Sequence, residues 1–196
     1  LKSATATYNP ISFAFLIERS SSYSAPAIVP CNTDLPVPLT NSNFDGLVVT
    51  SNTSGGCLNI LGCYLSNDER LIDGDETNYA SAVTVVGVGV THTLRVTDNT
   101  SNEYYAGGSY AGFLIENTSV LQASLLSNIV ISTYLEGDLQ ESNSGSSLAV
   151  MNTTLLGANK YYAGFYTAQN FDAIEISISS ILGVESTTRV YHAVTN

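Results

Sequence analysis

The densest set of hard oxygen donors in the sequence is Asp73-Gly74-Asp75-Glu76-Thr77. Two carboxylates two residues apart, with a glycine between them to permit a sharp turn, can converge on one cation. Calcium takes roughly six to eight oxygens, so backbone carbonyls and a further acidic side chain must complete such a shell. The remainder of an EF-hand loop does not follow. The same residues also suit a plain acidic turn in water, with the aspartates acting only as turn formers.

The tyrosines offer a second kind of chemistry. Tyr104, Tyr105 and Tyr110 surround Ala106-Gly107-Gly108-Ser109, and Tyr161, Tyr162 and Tyr166 form another group. An exposed ring can stack on a sugar while its hydroxyl forms hydrogen bonds, whereas a buried one with a paired hydroxyl is structural. Tyr104, Tyr105 and Tyr110 are therefore the candidate glycan-binding residues. Catalysis has less to draw on. His92 is in phase with Val88, Val90, Leu94 and Val96, which makes it a core residue, and His192 beside Tyr191 also reads as structural. There is no G-x-S-x-G elbow, no zinc-like Cys/His spacing and no glycine-rich phosphate loop. No two of the seventeen acidic residues are singled out as a glycosidase pair. The expectation is a non-enzymatic protein.

Charge excludes further classes. Six Lys+Arg against seventeen Asp+Glu give a net charge of −11, the wrong sign for replacing counterions on nucleic-acid phosphates. Only 12% of residues are charged while 44% are hydrophobic, so the chain can collapse around a core. No apolar run approaches the ~20 residues of a membrane-spanning helix.

Cys57 and Cys63 flank Leu-Asn-Ile-Leu-Gly, a spacing that a local disulfide can bridge, adding about 2–3 kcal/mol; the alternative is two buried thiols. Cys31 is either free or paired with one of them. The chain opens at Leu1, as after processing or within a longer protein, and the expected setting is extracellular. Sequons stand at Asn52, Asn99, Asn117 and Asn152.

The elements that must position these residues are strands. All five prolines fall within the first 38 residues, and proline is excluded from the interior of a sheet. Residues 1–43 therefore read as an extended N-terminal segment, with a strand at Ile11–Ile17, and residues 44–196 as the compact domain. Period-2 alternation marks Val88–Val96 and Ile174–Ile178. Ile129–Leu135 is followed by Glu136-Gly137-Asp138, a hairpin turn. Further strands are expected at 46–50, 80–86, 110–116, 148–155, 161–166 and 189–194. The fold expected is all-β, an antiparallel jelly-roll-like β-sandwich. Tyr-Tyr-Ala-Gly occurs at 104–107 and again at 161–164, as an internal duplication would leave it.

The run Ser66–Ala80 resembles the early loop of discoidin-like (F5/8 type C) jelly rolls, with Asp73, Asp75 and Thr77 on the motif and the usual Trp replaced near Tyr79 or Ala80. That resemblance implies a structural calcium site which a late acidic residue joins, here Glu175. Gly56-Cys57, Cys63, Leu71–Asp75, Ala106–Phe113 and Arg189–Ala193 together look like a domain of large, repeat-built, type IX secreted surface proteins of Bacteroidetes, generally adhesins. This resemblance covers 44–194. It implies a structural or adhesive surface or filament domain that partners with neighbouring copies or tandem repeats of itself. An edge strand would accept a donated strand carrying Ile11, Phe13, Phe15 and Ile17. The alternative is a carbohydrate-binding module that uses the tyrosines on surface glycans beside a calcium-stabilised loop.

Overall fold

In the computed structural model, residues 36–57, 62–75, 77–85, 87–100, 104–117, 126–151, 159–180 and 186–196 are described. The expected donated strand at 11–17 and Cys31 lie outside them. The described chain forms strands β1 (Val37–Pro38), β2 (Leu47–Cys57), β3 (Cys63–Ser66), β4 (Ala80–Thr84), β5 (Gly87–Asp98) and β6 (Tyr110–Asn117). There follow β7 (Ile129–Leu135), β8 (Asp138–Ser144), β9 (Ala149–Met151), β10 (Lys160–Tyr166), β11 (Ala173–Ser180) and β12 (Ser186–Thr195). Two 3-10 turns, Asp68–Leu71 and Gly145–Ser147, complete the elements.

The strands form the expected antiparallel sandwich. One sheet runs β2-β5-β11-β7-β8; the other runs β3-β4-β12-β6-β10-β9, with β1 also on β12. β4 pairs with the first half of β12 and β1 with its end, where Val37 faces Thr195. Pro38 thus sits at a sheet margin, as its missing donor requires. Leu39 is buried and donates its N–H to Ala193 O at 2.8 Å. The sandwich therefore begins ahead of the 43/44 boundary that the proline distribution suggests.

In the five-stranded sheet the central strands β5 and β11 alternate between buried and half-buried residues. The sheet's inner face carries Val90, His92, Leu94 and Val96 of β5, Ile174, Ile176 and Ile178 of β11, and Ile129 and Ile131 of β7, all buried. Its outer face carries hydroxyls in register, with Thr91 bonded to Ser179 and Ser132 to Ser142. Val88 departs from the expected pattern. It is 53% exposed because Gly89, at φ +61°, breaks the alternation before Val90.

The other sheet is apolar on both faces. Ala111, Phe113 and Ile115 of β6, Ala163 and Phe165 of β10, and Val190 and Ala193 of β12 point into the main core. Tyr110, Leu114, Tyr162, Tyr191 and Val194 form a second buried cluster on the opposite face. The sequence of β6 already carries this information, since Tyr-Ala-Gly-Phe-Leu-Ile is a continuous apolar run rather than an alternating one. β12 serves both faces through an irregularity in register between Val190 and His192.

The local devices match the sequence signals. Glu136 (φ 53°) and Gly137 (φ 88°) form a two-residue hairpin between Leu135 and Asp138, the primed turn that matches strand twist. Cys57 and Cys63 are disulfide-bonded with Cα atoms 6.0 Å apart, joining an edge strand of one sheet to an edge strand of the other. The repeated Tyr-Tyr-Ala-Gly is not a structural duplication. Its second copy lies within β10, whereas its first leads through an isolated bridge into a turn.

Gly112 and Gly164 face each other across β6 and β10, and the Tyr110 ring lies over both. A Cβ on Gly164 would stand 2.6 Å from Tyr110 Cζ and against Ala111 O. Gly164→Ala is therefore expected to destabilise the protein by about 1–3 kcal/mol, as overpacking does. A urea midpoint that falls with an unchanged slope would bear this out; an unaltered midpoint would refute it.

Candidate functional site

Four separated segments converge at one end of the sandwich: the exit of β5 (Asp98, Asn99, Thr100), Tyr104, the β7–β8 hairpin (Leu135, Glu136), and Asp172 just before β11. They line an open cleft of about 240 Å³. The backbone determines how they meet. Asp98 N–H donates to Asp172 O, and Asp172 N–H to Tyr134 O, each at 2.8 Å. The hairpin tip is pinned by Glu136 N–H donating to Asp172 Oδ2 at 2.7 Å.

Two of the carboxylates are partly occupied in holding these turns. Asp98 Oδ1 accepts from Thr100 N–H at 2.9 Å, and its Oδ2 from the Tyr105 hydroxyl at 2.9 Å. Asp172 spends Oδ2 on the hairpin, but its Oδ1 is buried with no hydrogen-bond partner. A buried acceptor without a donor is costly, and this one belongs to a residue that lines the cleft.

The three candidate tyrosines separate. Tyr104 is 58% exposed and lines the cleft. Tyr105 anchors it from beneath: its backbone exchanges hydrogen bonds with Phe171 at 2.7 and 3.0 Å. Its ring packs 5.1 Å from Phe171 and meets Phe44 edge-on at 6.0 Å. Tyr110 is a correction to the expected set. It is fully buried, its hydroxyl donates to Ala149 O at 3.2 Å, and it has no open face for a sugar. The second tyrosine group is likewise placed in the sheet, with Tyr161 in the main core and Tyr162 and Tyr166 in the outer cluster.

The expected metal residues also separate. Asp75 N–H donates to Asp73 Oδ1 at 2.8 Å, and Asp75 Oδ1 accepts from both the amide (2.8 Å) and the hydroxyl (2.6 Å) of Thr77. The Thr77 hydroxyl, then its amide, hold Asp75 below the usual carboxylate range. Asn78 Nδ2 lies between the two aspartates, 2.8 Å from Asp73 Oδ2 and 3.4 Å from Asp75 Oδ2, while its Oδ1 is buried without a partner. Glu175 is not in this group. It projects from the outer face of the other sheet, where it forms an ion pair with Arg95 at 2.7 Å and accepts from the Tyr134 hydroxyl at 3.1 Å. The Arg95 guanidinium stacks 3.6 Å above the Tyr134 ring, so Glu175 is already neutralised. Among the described residues no three His, Cys, Asp or Glu side chains come together as a metal-ligand group.

Both histidines are buried, as expected, but they differ. The ring nitrogens of His92 meet the hydroxyls of Thr53 (2.9 Å) and Thr84 (3.0 Å). His192 keeps Nε2 unpartnered. No sequence signal marks Asp98, Asp172 or this state of His192, and Asn99 and Glu136 are legible there only as a sequon and a turn residue, because the cleft forms only where distant segments meet.

No family model matches the chain, and no curated protein matches it. Among solved structures it is similar to the lectin domain of lectinolysin complexed with Lewis B antigen, at 13% identity and TM-score 0.43. That match covers 82% of this chain and 98% of that one. A Streptococcus pneumoniae fucose binding module, SpX-3, matches at 13% identity and TM-score 0.39, over 77% and 95% of the two chains. The module CBM32-3 from a family 31 glycoside hydrolase of Clostridium perfringens matches at 11% identity and TM-score 0.39, over 79% and 96%. The fold and site in hand define an antiparallel β-sandwich with a polar, tyrosine-bearing cleft at one end.

Burial, reinforced by the Lys160 charge, pulls the His192 pKa to about 4 from an ordinary value of 6.5. The folded value is the lower one, so the unfolded chain takes up this proton first. The contribution is fully present above the unfolded pKa of ~6.5 and is lost as pH falls towards ~4, by about 2–3 kcal/mol. Urea unfolding near pH ~7 and near pH ~4.5 should therefore show a smaller acid loss in His192→Gln than in the parent. Equal acid losses in the two proteins would refute it.

Proposed function

We propose that this chain is a non-catalytic carbohydrate-binding module and that the Tyr104 cleft is its glycan site. The observation that carries this reading is the exposed Tyr104 ring in a cleft shared with Asp172, whose Oδ1 is buried and unpartnered. A sugar presents both complements, C–H faces that pack on an aromatic ring and hydroxyls that donate to a carboxylate. Asp98, Asn99 and Glu136 add further polar groups, and 240 Å³ suits a short contact with one or two rings rather than an engulfed drug-sized ligand of ~300–1,000 Å³. The Cys57–Cys63 bond supports an extracellular or cell-surface setting, since disulfides persist in oxidising compartments. No helix among the described residues is long and apolar enough to cross a membrane. The residues expected to donate a strand, Ile11, Phe13, Phe15 and Ile17, lie outside the described residues.

A glycan array followed by calorimetry tests the site. Tyr104→Ala should weaken binding at least ~10-fold, the loss of about 1.4 kcal/mol. Asp172→Asn, which keeps an acceptor for the Glu136 amide, should weaken it similarly, while Tyr110→Phe should leave it unchanged. An array with no bound glycan, or binding that survives both changes, would overturn the reading.

We also infer that the 73–78 loop takes calcium, with Asp73, Asp75 and Thr77 joined by Asn78 in place of Glu175. The Asn78 amide donates to both carboxylates, and its buried Oδ1 lacks a partner. Half a turn of that amide presents an oxygen instead. When bound, the ion would replace the loop's internal hydrogen bonds with coordination, stabilising the turn. Calcium titration should raise the melting temperature of the parent and not that of Asp73→Ala; a flat response in the parent would leave an acidic turn.

A further inference from the structure

A second pocket, sharing no lining residue with the Tyr104 cleft, lies where residues 38–43 meet the 73–78 loop above β12. It measures about 180 Å³ and is lined by Pro38, Thr40, Ser42, Asn43, Gly74 and His192. Its deep residues, Thr40 and His192, are each 4% exposed, while Ser42, Asn43 and Gly74 are exposed at its rim.

The walls are built rather than incidental. Leu39 N–H donates to Ala193 O and Asn41 N–H to Ile72 O, both at 2.8 Å. The amides of Asn43 and Phe44 both donate to Thr40 O at 2.9 Å. These bonds fasten the loop to β12 on one side and to the acidic loop on the other. Thr40 Oγ1 and Ser42 Oγ stand 2.7 Å apart, so one of the two hydroxyl protons is left over for another acceptor. Asn43 Nδ2 reaches Pro38 O at 3.4 Å, a long bond that leaves most of its donor capacity free. His192 Nε2 is buried with no partner at all, although the ring of His92 has both nitrogens met by hydroxyls.

Among the described residues none of these walls carries a formal charge, since burial keeps the imidazole neutral at ordinary pH. Hydroxyls, an amide and one neutral imidazole, each able to donate or accept, do not favour an anion or a bare metal ion. They complement a neutral molecule with adjacent hydroxyl groups. The volume is several times the ~30 Å³ share of one water and below the drug-sized range.

We propose that this pocket is a second binding site, taking a single sugar ring or a small polyol whose neighbouring hydroxyls bond to His192 Nε2, the Thr40–Ser42 hydroxyl pair and the Asn43 amide. It is independent of the Tyr104 cleft and stands or falls without it.

The two histidines provide the readout. Long-range proton–nitrogen spectra of the imidazoles in labelled protein would be recorded while glycerol, D-glucose, D-galactose, D-mannose and L-fucose are added separately. At least one probe should move the His192 Nε2 resonance saturably and leave His92 in place. Glycerol alone acting would mark a polyol site, and a monosaccharide acting more strongly would mark a sugar site. Ser42→Leu, at an exposed position, should abolish the shift while the unchanged His92 resonances report an intact fold, and Tyr104→Ala should retain it. If no probe moves His192, or if Ser42→Leu responds like the parent, the pocket holds water only and the proposal is overturned.

Discussion

The sheet containing β12 and β6 has to satisfy two apolar surfaces at once, and most of the molecule follows from how it does so. An ordinary sandwich sheet buries one face and wets the other. Here the inner face is made shallow by Ala80, Ala82, Ala111, Ala163 and Ala193, which lie in the same core cluster as the isoleucines of the opposing sheet. The outer face is filled by tyrosines. Tyr110 lies flat only because Gly112 and Gly164 leave the strand surfaces bare beneath it. At the far end of the same strands the apolar layer gives way to charge. Glu116 pairs with Arg189 at 3.1 Å and accepts from the Tyr191 hydroxyl, and Lys160 sits 3.8 Å above the Tyr191 ring. Burial would raise the Glu116 pKa, but these bonds outweigh it and hold the carboxyl below its usual range.

With one sheet committed to burial on both faces and the other presenting short hydroxyls and one closed Arg95–Glu175 pair, the chemistry is left to the loops. That division explains why so many carboxylates do structural service. Asp73, Asp75 and Asp98 each accept backbone amides two residues on, the Asx geometry that makes such residues good turn formers. Glu141 ties β8 to the loop before β11 by accepting from the amides of Ala168 and Gln169 at 2.8 and 3.0 Å. An oxygen that has already accepted an amide is a weaker recruiter of ligand. Among the buried polar atoms left without a partner, Asp172 Oδ1, Asn78 Oδ1 and His192 Nε2 belong to residues of the Tyr104 cleft, the acidic loop and the second pocket.

The sandwich was legible in the sequence wherever one face is wet. Ile174, Ile176 and Ile178 against Glu175, Ser177 and Ser179 allow only one reading, and Glu136-Gly137 names its own turn. Legibility fails where the backbone departs from alternation, as at Val88 after Gly89 has turned the chain, and where a short strand such as β3 or β1 is specified by pairing rather than by pattern. The site was less legible than the fold. Tyr104 and Tyr105 are neighbours of one type, yet one faces solvent and the other packs on Phe171. Nothing local distinguishes them, because the difference is made by a bridge to a residue far along the chain. Glu175 shows the same limit from the other side. Its sequence context fits a ligand, but Arg95 arrives on the adjacent strand in register and neutralises it.

The two histidines show why a leftover polar atom can be informative rather than incidental. Both sit in strands of the sandwich, both are almost fully buried, and burial lowers the pKa of each. A neutral imidazole in such a place needs one donor and one acceptor to offset its lost hydration. His92 obtains both from Thr53 and Thr84, residues of neighbouring segments, and so contributes stability without further use. His192 lies at the irregularity in β12, where the register shift opens the strand beneath residues 38–43, and its Nε2 is left unpaired. A core histidine with no function to serve could be a valine or threonine at that position at no such cost. The hydroxyl pair and the rim amide line the same pocket as His192, and together these groups suit a guest with hydroxyls of its own.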